Sequence, residues 1–187
     1  MSHALAFLGI SGSLRSQSRN TGLLRCARKL VEATEDPDII RFEIADLSEV
    51  PFYNADLQEK PDAVLRLIEQ AERADALVLA CPEYNYSVAP ALKNALDWLS
   101  REPGNLPLNG KPVALLGAGG AMGTSRAQYH LRQVCVFLDL HPLNKPEIFS
   151  NAFQTAFDEN GDVAEPWLAE RVGEQMKALA AACRRMR

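Results

Sequence analysis

The sequence predicts an α/β fold, an open parallel sheet with helices on both faces. Three observations lead there. Short apolar runs alternate with segments of helical periodicity along the 187 residues. Two of those runs, residues 5–10 and 76–81, are apolar throughout, as strands buried on both faces are. The order is strictly strand then helix, and parallel neighbours need right-handed crossovers, so the helices must cover both faces. A content of 47% hydrophobic and 24% charged residues suits one sizeable core, and residues 1–187 are expected to form a single domain.

The elements follow in order. After the first strand, residues 20–34 carry Leu23, Leu24, Ala27, Leu30 and Val31 at helical spacing, and Thr34-Glu35-Asp36-Pro37 stops the run. Residues 39–45 alternate apolar and polar, with Ile40, Phe42 and Ile44 on one face, as in a half-buried edge strand. An irregular loop over residues 46–60 contains Pro51-Phe52-Tyr53-Asn54. Pro61 opens a helix holding Val64, Leu65, Leu67, Ile68 and Ala71, and residues 76–81 read as a central strand.

The second half repeats the alternation. Pro90 opens a helix with Leu92, Ala95, Leu96 and Leu99, and Lys111-Pro112 leads into the strand Val113-Ala114-Leu115-Leu116. Residues 125–138 form a helical segment, residues 140–149 a last strand broken by prolines, and residues 167–186 an amphipathic closing helix. This makes five strands and five helices. Only residues 151–166 depart from the order: Asp158-Glu159-Asn160-Gly161 reads as a tight turn between two short extended pieces, or as a plain connector.

Composition excludes several classes. A net charge of −4 without runs of like charge does not suit a nucleic-acid binder. No charged region precedes the first strand and no apolar stretch approaches about 18 residues, so a cytoplasmic protein without membrane insertion is expected. Cys26, Cys81, Cys135 and Cys183 are widely spaced, which predicts buried free thiols, and with His3, His130 and His141 scattered no metal-ligand spacing emerges.

The chemistry concentrates where the first strand ends. Ser11-Gly12-Ser13-Leu14-Arg15-Ser16-Gln17-Ser18-Arg19-Asn20 is rich in hydroxyls and runs into a helix N-terminus, where backbone N–H groups and the helix dipole favour an anion and Arg15 adds a formal charge. Gly9 and Gly12 fit neither the dinucleotide spacing G-x-G-x-x-G nor the triphosphate loop, which needs a lysine. Several separate hydroxyl donors suit a terminal monophosphate, such as that of flavin mononucleotide (FMN). The plainer reading is that Asn20 caps the helix, but a cap needs one such residue and the loop has five.

Open sheets bind ligands outside the carboxyl ends of their strands, where strand order reverses. After the third strand comes Cys81-Pro82-Glu83-Tyr84-Asn85-Tyr86-Ser87-Val88-Ala89-Pro90, polar and aromatic. After the fourth comes Gly117-Ala118-Gly119-Gly120-Ala121-Met122-Gly123-Thr124, nearly bare backbone. Together they offer a flat heteroaromatic ring an apolar surface, edge donors and close backbone approach; taken singly, either is an ordinary turn.

Gly12-Ser13-Leu14-Arg15 with Ser18 and Asn20, then Pro82-Glu83-Tyr84-Asn85-Tyr86-Ser87 and Leu92-Lys93-Asn94-Ala95-Leu96-Asp97-Trp98, resembles the NAD(P)H-dependent FMN reductase family of flavodoxin-like enzymes. Arg126-Ala127-Gln128-Tyr129-His130-Leu131-Arg132-Gln133, with Phe137-Leu138-Asp139 and Asn144-Lys145-Pro146-Glu147, resembles the branch that includes bacterial chromate and quinone reductases. The resemblance implies a five-stranded sheet in the order 2-1-3-4-5. It implies that Ser11, Ser13, Arg15, Gln17, Ser18 and Asn20 hold the FMN phosphate and that Pro82, Glu83, Tyr84 and Asn85 hold the edge of the ring. Gly117, Ala118 and Gly119 would lie beside the ring, in a loop poorer in hydroxyls than some relatives have.

The implied chemistry is a ping-pong exchange. NADPH or NADH docks on the exposed flavin face, passes hydride to the ring and leaves, and a small-molecule acceptor (a quinone, chromate-like ion, azo compound or flavin) takes the electrons from the same face. The flavin carries the reaction, so no side chain is expected to act as nucleophile. Glu83, beside an anionic reduced ring, is expected to point outward or to cap a helix rather than act as a base. The alternatives are a flavodoxin-like electron carrier without NAD(P)H turnover and a flavin-binding module. Related proteins are homodimers or homotetramers; Tyr86, the helix with Trp98 and Arg101, and residues 126–139 are candidate contacts, with Trp98 and Tyr129 equally readable as core.

Overall fold

A parallel sheet organises the computed structural model, which describes residues 4–34 and 39–186. Strand β1 (Leu5–Ser11) is followed by α1 (Arg19–Glu32), β2 (Ile39–Ile44), α2 (Asp62–Arg73) and β3 (Ala76–Ala80). A hairpin of two-residue strands, β4 (Glu83–Tyr84) and β5 (Ser87–Val88), precedes α3 (Pro90–Leu99). Then come β6 (Pro112–Gly119), α4 (Ser125–Phe137), β7 (His141–Pro142), β8 (Ile148–Asn151) and α5 (Pro166–Met186).

The sheet order is β2-β1-β3-β6-β7, with β8 also paired to β6, and every ladder is parallel. That is the order 2-1-3-4-5, with β6 as fourth strand and β7 and β8 sharing the fifth place. His141 and Leu143 donate to the Lys111 and Val113 carbonyls at 2.9 and 2.8 Å at the start of β6; the chain then leaves β6 and returns at Ile148 to pair with its end.

Alternating side chains divide the core. Leu8, Ile10, Leu77, Leu79 and Leu115 face α2, α3 and α4, meeting Val64, Leu67, Leu92, Leu96 and Leu131. Leu5, Phe7, Val78, Leu116 and Ala118 face α1 and α5, meeting Leu23, Leu24, Leu168, Val172 and Leu179. On β2, Phe42 is buried, Ile44 half-buried and Arg41 exposed, as an edge strand requires. The side chain of Ile40, and residues 35–37 of the expected helix stop, lie outside the described residues.

Residues 151–166 do more than connect. Phe157 and Val163 form an antiparallel bridge around the expected turn, where the Asp158 carboxylate accepts from the amides of Asn160 and Asp162 at 2.9 and 2.8 Å. The turn presses on α1: a Cβ added to Gly22 would stand 1.8 Å from the Gly161 carbonyl oxygen, and Arg25 pairs with Asp162 at 2.5 Å. Glycine is required at Gly22 by this approach rather than by backbone angle.

Trp98 belongs to the core. It is 3% exposed, donates from Nε1 to the Pro51 carbonyl at 2.8 Å, and stands edge-on to Tyr53 with ring centroids 5.0 Å apart. Tyr129, 67% exposed, is not a core residue. Cys81, Cys135 and Cys183 are buried thiols, whereas Cys26 is half-buried.

Candidate functional site

The turn after β1 is folded by its own small side chains. Gly12 N–H donates to the Ala80 carbonyl at 2.9 Å, and a Cβ there would fall 2.7 Å from Pro82, so only glycine lets the first and second loops touch. Ser11 Oγ lies 2.9 Å from Thr21 Oγ1 and accepts from Ser13 N–H at 3.3 Å, which ties the turn to α1. Ser18, in extended conformation, caps α1 by accepting from Thr21 N–H at 3.3 Å. The first turn of α1 has no acidic residue, so nothing on the helix neutralises its positive end.

Asn20 reaches across the sheet. Its Nδ2 donates to the Ala118 carbonyl at 2.9 Å, and its Oδ1 accepts from Ala118 N–H at 3.0 Å. The ladder between β3 and β6 ends where Cys81 N–H donates to the Leu116 carbonyl. Two residues on, Ala118 turns the same backbone groups toward the gap, and the Asn20 amide takes the place of the next strand residue. Asn20 is thus a clamp between the first and third loops, a use of its side chain that the resemblance to phosphate-binding loops does not convey.

The second loop is the β4–β5 hairpin. Asn85 and Tyr86 both have positive φ, 49° and 67°, which is the backbone of a tight hairpin turn that asparagine tolerates and tyrosine disfavours. Arg126 holds it in place. Its guanidinium lies 3.7 Å from the centroid of the Tyr86 ring and its Nε donates to Glu83 Oε1 at 2.6 Å. Glu83 Oε2 accepts from Ala127 N–H at 3.2 Å, so this almost wholly buried carboxylate caps α4. Of the two roles expected, outward-pointing or helix-capping, Glu83 takes the second, because Arg126 and the α4 amide draw the side chain inward.

The third loop is folded against itself. A Cβ on Gly117 would meet Thr124 Oγ1 at 2.0 Å and the Cys81 carbonyl at 2.7 Å, and one on Gly119 would meet the Gly123 carbonyl at 2.2 Å. Gly117 therefore faces packed protein.

These loops enclose a cleft of about 320 Å³. From the first loop Ser13, Arg15, Ser18 and Asn20 line it, and from the second Pro82, Glu83 and Tyr84. Ala118 and Gly119 line it from the third. Four expected residues fall outside its walls: Ser11 is turned into the loop, Gln17 is exposed, Asn85 sits at the hairpin tip and Gly117 is packed under Thr124. Arg19, Gly120, Ala152 and Phe153 also line the cleft without having been singled out. Arg19 was legible as the loop's second arginine; Ala152 and Phe153, beyond the last strand, carry no local signal.

The cleft is electrically suited to a phosphate. Arg15 and Arg19 reach it beside the N-terminus of α1, and the buried Arg19 Nε has no hydrogen-bond partner among the described residues. An orphaned buried donor on a cation, a glycine-lined backbone wall and small hydroxyls fit FMN, a phosphate at one end and a flat ring at the other. Cys81, at the foot of the second loop, is buried, and burial pushes its thiol up to about 12, which disfavours the thiolate.

The family model for NADPH-dependent FMN reductases matches residues 5–155, a span that takes in all three loops. The chain belongs to the NADPH-dependent FMN reductase family. As a member it is an oxidoreductase with FMN as cofactor and a reduced nicotinamide nucleotide as reductant. It is 50% identical over 190 residues, 100% of both chains, to an NAD(P)H-dependent FMN reductase of Pseudomonas aeruginosa. It is 44% identical over 177 residues to an NADPH:quinone oxidoreductase of Arabidopsis thaliana, covering 92% of this chain and 88% of the relative. Among solved structures FerB, a flavoenzyme NAD(P)H:(acceptor) oxidoreductase from Paracoccus denitrificans, superposes with a TM-score of 0.84 at 28% identity over 98% of this chain and 99% of that one. Among the described residues, no helix is long and apolar enough to cross a membrane.

Proposed function

We propose that the chain is an NAD(P)H:quinone oxidoreductase working by a ping-pong cycle, with FMN held in the cleft where the three loops meet. The observation that carries this reading is the convergence of Arg15, Arg19 and the α1 N-terminus on one end of a cleft whose other walls are hairpin and glycine backbone. FMN, when bound, supplies the two-electron chemistry that allows reductant and acceptor to react in turn at one place. The protein's own part is positioning. Ser13, Ser18 and the two arginines bind the phosphate; Asn20 keeps the first and third loops at a set distance; Pro82, Glu83 and Tyr84 present backbone groups to the ring edge. Glu83 acts through Arg126 and α4 as a positioning residue, since its carboxylate is already engaged.

Residues 1–187 act as one flavodoxin-like unit, in the cytoplasm, and as a homodimer or homotetramer. Supporting self-association, Tyr86, Tyr129, Val136 and Phe137 are large apolar side chains left exposed on and beside α4. Chromate-like ions, azo compounds and free flavin are further acceptors on this reading, because an open flavin face discriminates by potential and access more than by contacts. The test is steady-state NAD(P)H oxidation by the FMN-loaded protein with a soluble benzoquinone. Parallel double-reciprocal lines are expected. A yellow protein that consumes no NAD(P)H contradicts the enzyme, and intersecting lines contradict the ping-pong order.

A further inference from the structure

We propose that a second cavity, beside the cofactor cleft, receives the hydrocarbon substituent of a quinone acceptor. It has a volume of about 480 Å³, within the range of about 300–1,000 Å³ typical of small-molecule sites. Leu14, Leu47, Val50, Phe52, Pro90 and Ala91 form most of its wall. Arg15 and Tyr84 line both this cavity and the cleft, and Tyr84 stands on the ring side, so a ligand whose polar ring lies at the flavin can extend a chain past Tyr84.

The wall is built to stay open. Asn94 Oδ1 accepts from Tyr53 N–H at 2.8 Å and its Nδ2 donates to the Pro51 carbonyl at 2.8 Å; Trp98 Nε1 donates to the same carbonyl at 2.8 Å. Residues 51–53 are thereby pinned to α3. Both polar atoms of Asn94 are engaged in this anchoring, and apolar side chains make up most of the remaining lining. Leu14 and Phe52 remain 62% and 77% exposed, an apolar surface that a hydrocarbon would take out of water. A nicotinamide dinucleotide, with two phosphates and two riboses, finds too few polar partners there. The chemistry that fits is an amphipathic acceptor, with the quinone ring toward Tyr84 and an aliphatic chain inward.

This assignment rests on the quinone reductase reading, and the experiment separates the two. FMN-loaded protein is assayed at saturating NAD(P)H with two benzoquinones of the same ring and potential, one without a side chain and one with a decyl chain. Each buried methylene is worth about fourfold in affinity, so two suffice for the expected KM of the decyl compound to be at least about tenfold lower. Ala91→Phe, which fills the cavity, and Phe52→Ser, which strips its wall, should each remove most of that difference. Neither should change FMN content, and kcat/KM for the chainless quinone should stay within about twofold. Equal KM values in the unmodified protein, equal losses for both quinones in the variants, or losses that track subunit dissociation overturn the cavity assignment, the last by showing that a second copy covers it. No turnover of the chainless quinone overturns the quinone reading itself, and the cavity assignment with it.

Discussion

Replacing Asn20 by alanine tests the clamp between the first and third loops. The residue is 6% exposed, and its amide makes paired hydrogen bonds of 2.9 and 3.0 Å to one backbone unit, Ala118. Asn20→Ala strands an N–H and a carbonyl at the end of β6, each costing about 1–3 kcal/mol when buried and unpaired. Water entering the vacated space offsets part of this, leaving about 2–4 kcal/mol. At about 2–4 °C per kcal/mol for a domain of this size, the apoprotein should melt about 5–15 °C lower. Asn20→Asp should fare no better, because a carboxylate then faces the Ala118 carbonyl. Circular dichroism of the apoproteins reads the melting temperature, and flavin fluorescence quenching reads FMN affinity. If Asn20 served the phosphate alone, affinity would fall while the apoprotein melted within about 2 °C of the parent; that result refutes the clamp.

The other predictions are local. Gly22→Ala should destabilise, although alanine is better than glycine in a helix by about 1 kcal/mol. The new methyl meets the Gly161 carbonyl at 1.8 Å, and overpacking of about 1–3 kcal/mol outweighs the propensity gain; a raised melting temperature contradicts this. Arg15→Ala and Arg19→Gln should each weaken FMN binding about ten- to a hundredfold, the worth of one charge-assisted contact of about 1.5–3 kcal/mol, and leave riboflavin binding unchanged. Losses equal for FMN and riboflavin would show that the arginines do not read the phosphate. For Cys81 and Cys135, burial pushes both thiols up from 9.0 to about 12. The folded state therefore holds protons that the unfolded chain releases, so their stabilisation is complete below about pH 9 and fades as pH rises toward 12, by up to about 1.4 kcal/mol per unit per thiol. Urea unfolding from pH 8 to 11 should show a slope that a Cys81→Ala, Cys135→Ala double variant loses; identical slopes contradict it.

What was legible in the sequence had a local cause. β1 and β3 announced themselves because both faces are buried, and α1 because its apolar positions repeat at helical spacing. Ser13, Arg15 and Ser18, which line the cleft, were legible as site candidates because a hydroxyl-rich turn before a helix has few other uses. What stayed hidden depends on partners far along the chain. Asn20 meets Ala118 at a separation of 98 residues, and Glu83 meets Arg126 at 43, so their roles as clamp and cap have no local mark. Gly117 looked like bare backbone for a ring, yet Thr124 fills the space its side chain would occupy. Asp158-Glu159-Asn160-Gly161 was legible as a turn through Asn160-Gly161, but its packing on Gly22 follows only from the tertiary fold. β4 and β5 are too short for periodicity to register, and Tyr86 at positive φ runs against its intrinsic preference, held there by Arg126.

Titration of the apoprotein with FMN, alongside riboflavin, tests the central claim most directly. Uptake of one yellow cofactor per chain is predicted, with riboflavin bound at least about tenfold more weakly, because Arg15 and Arg19, which line the cleft beside the start of α1, would lose their partner without a phosphate. A protein that stays colourless at saturating FMN, or that takes up both compounds equally well, contradicts the account.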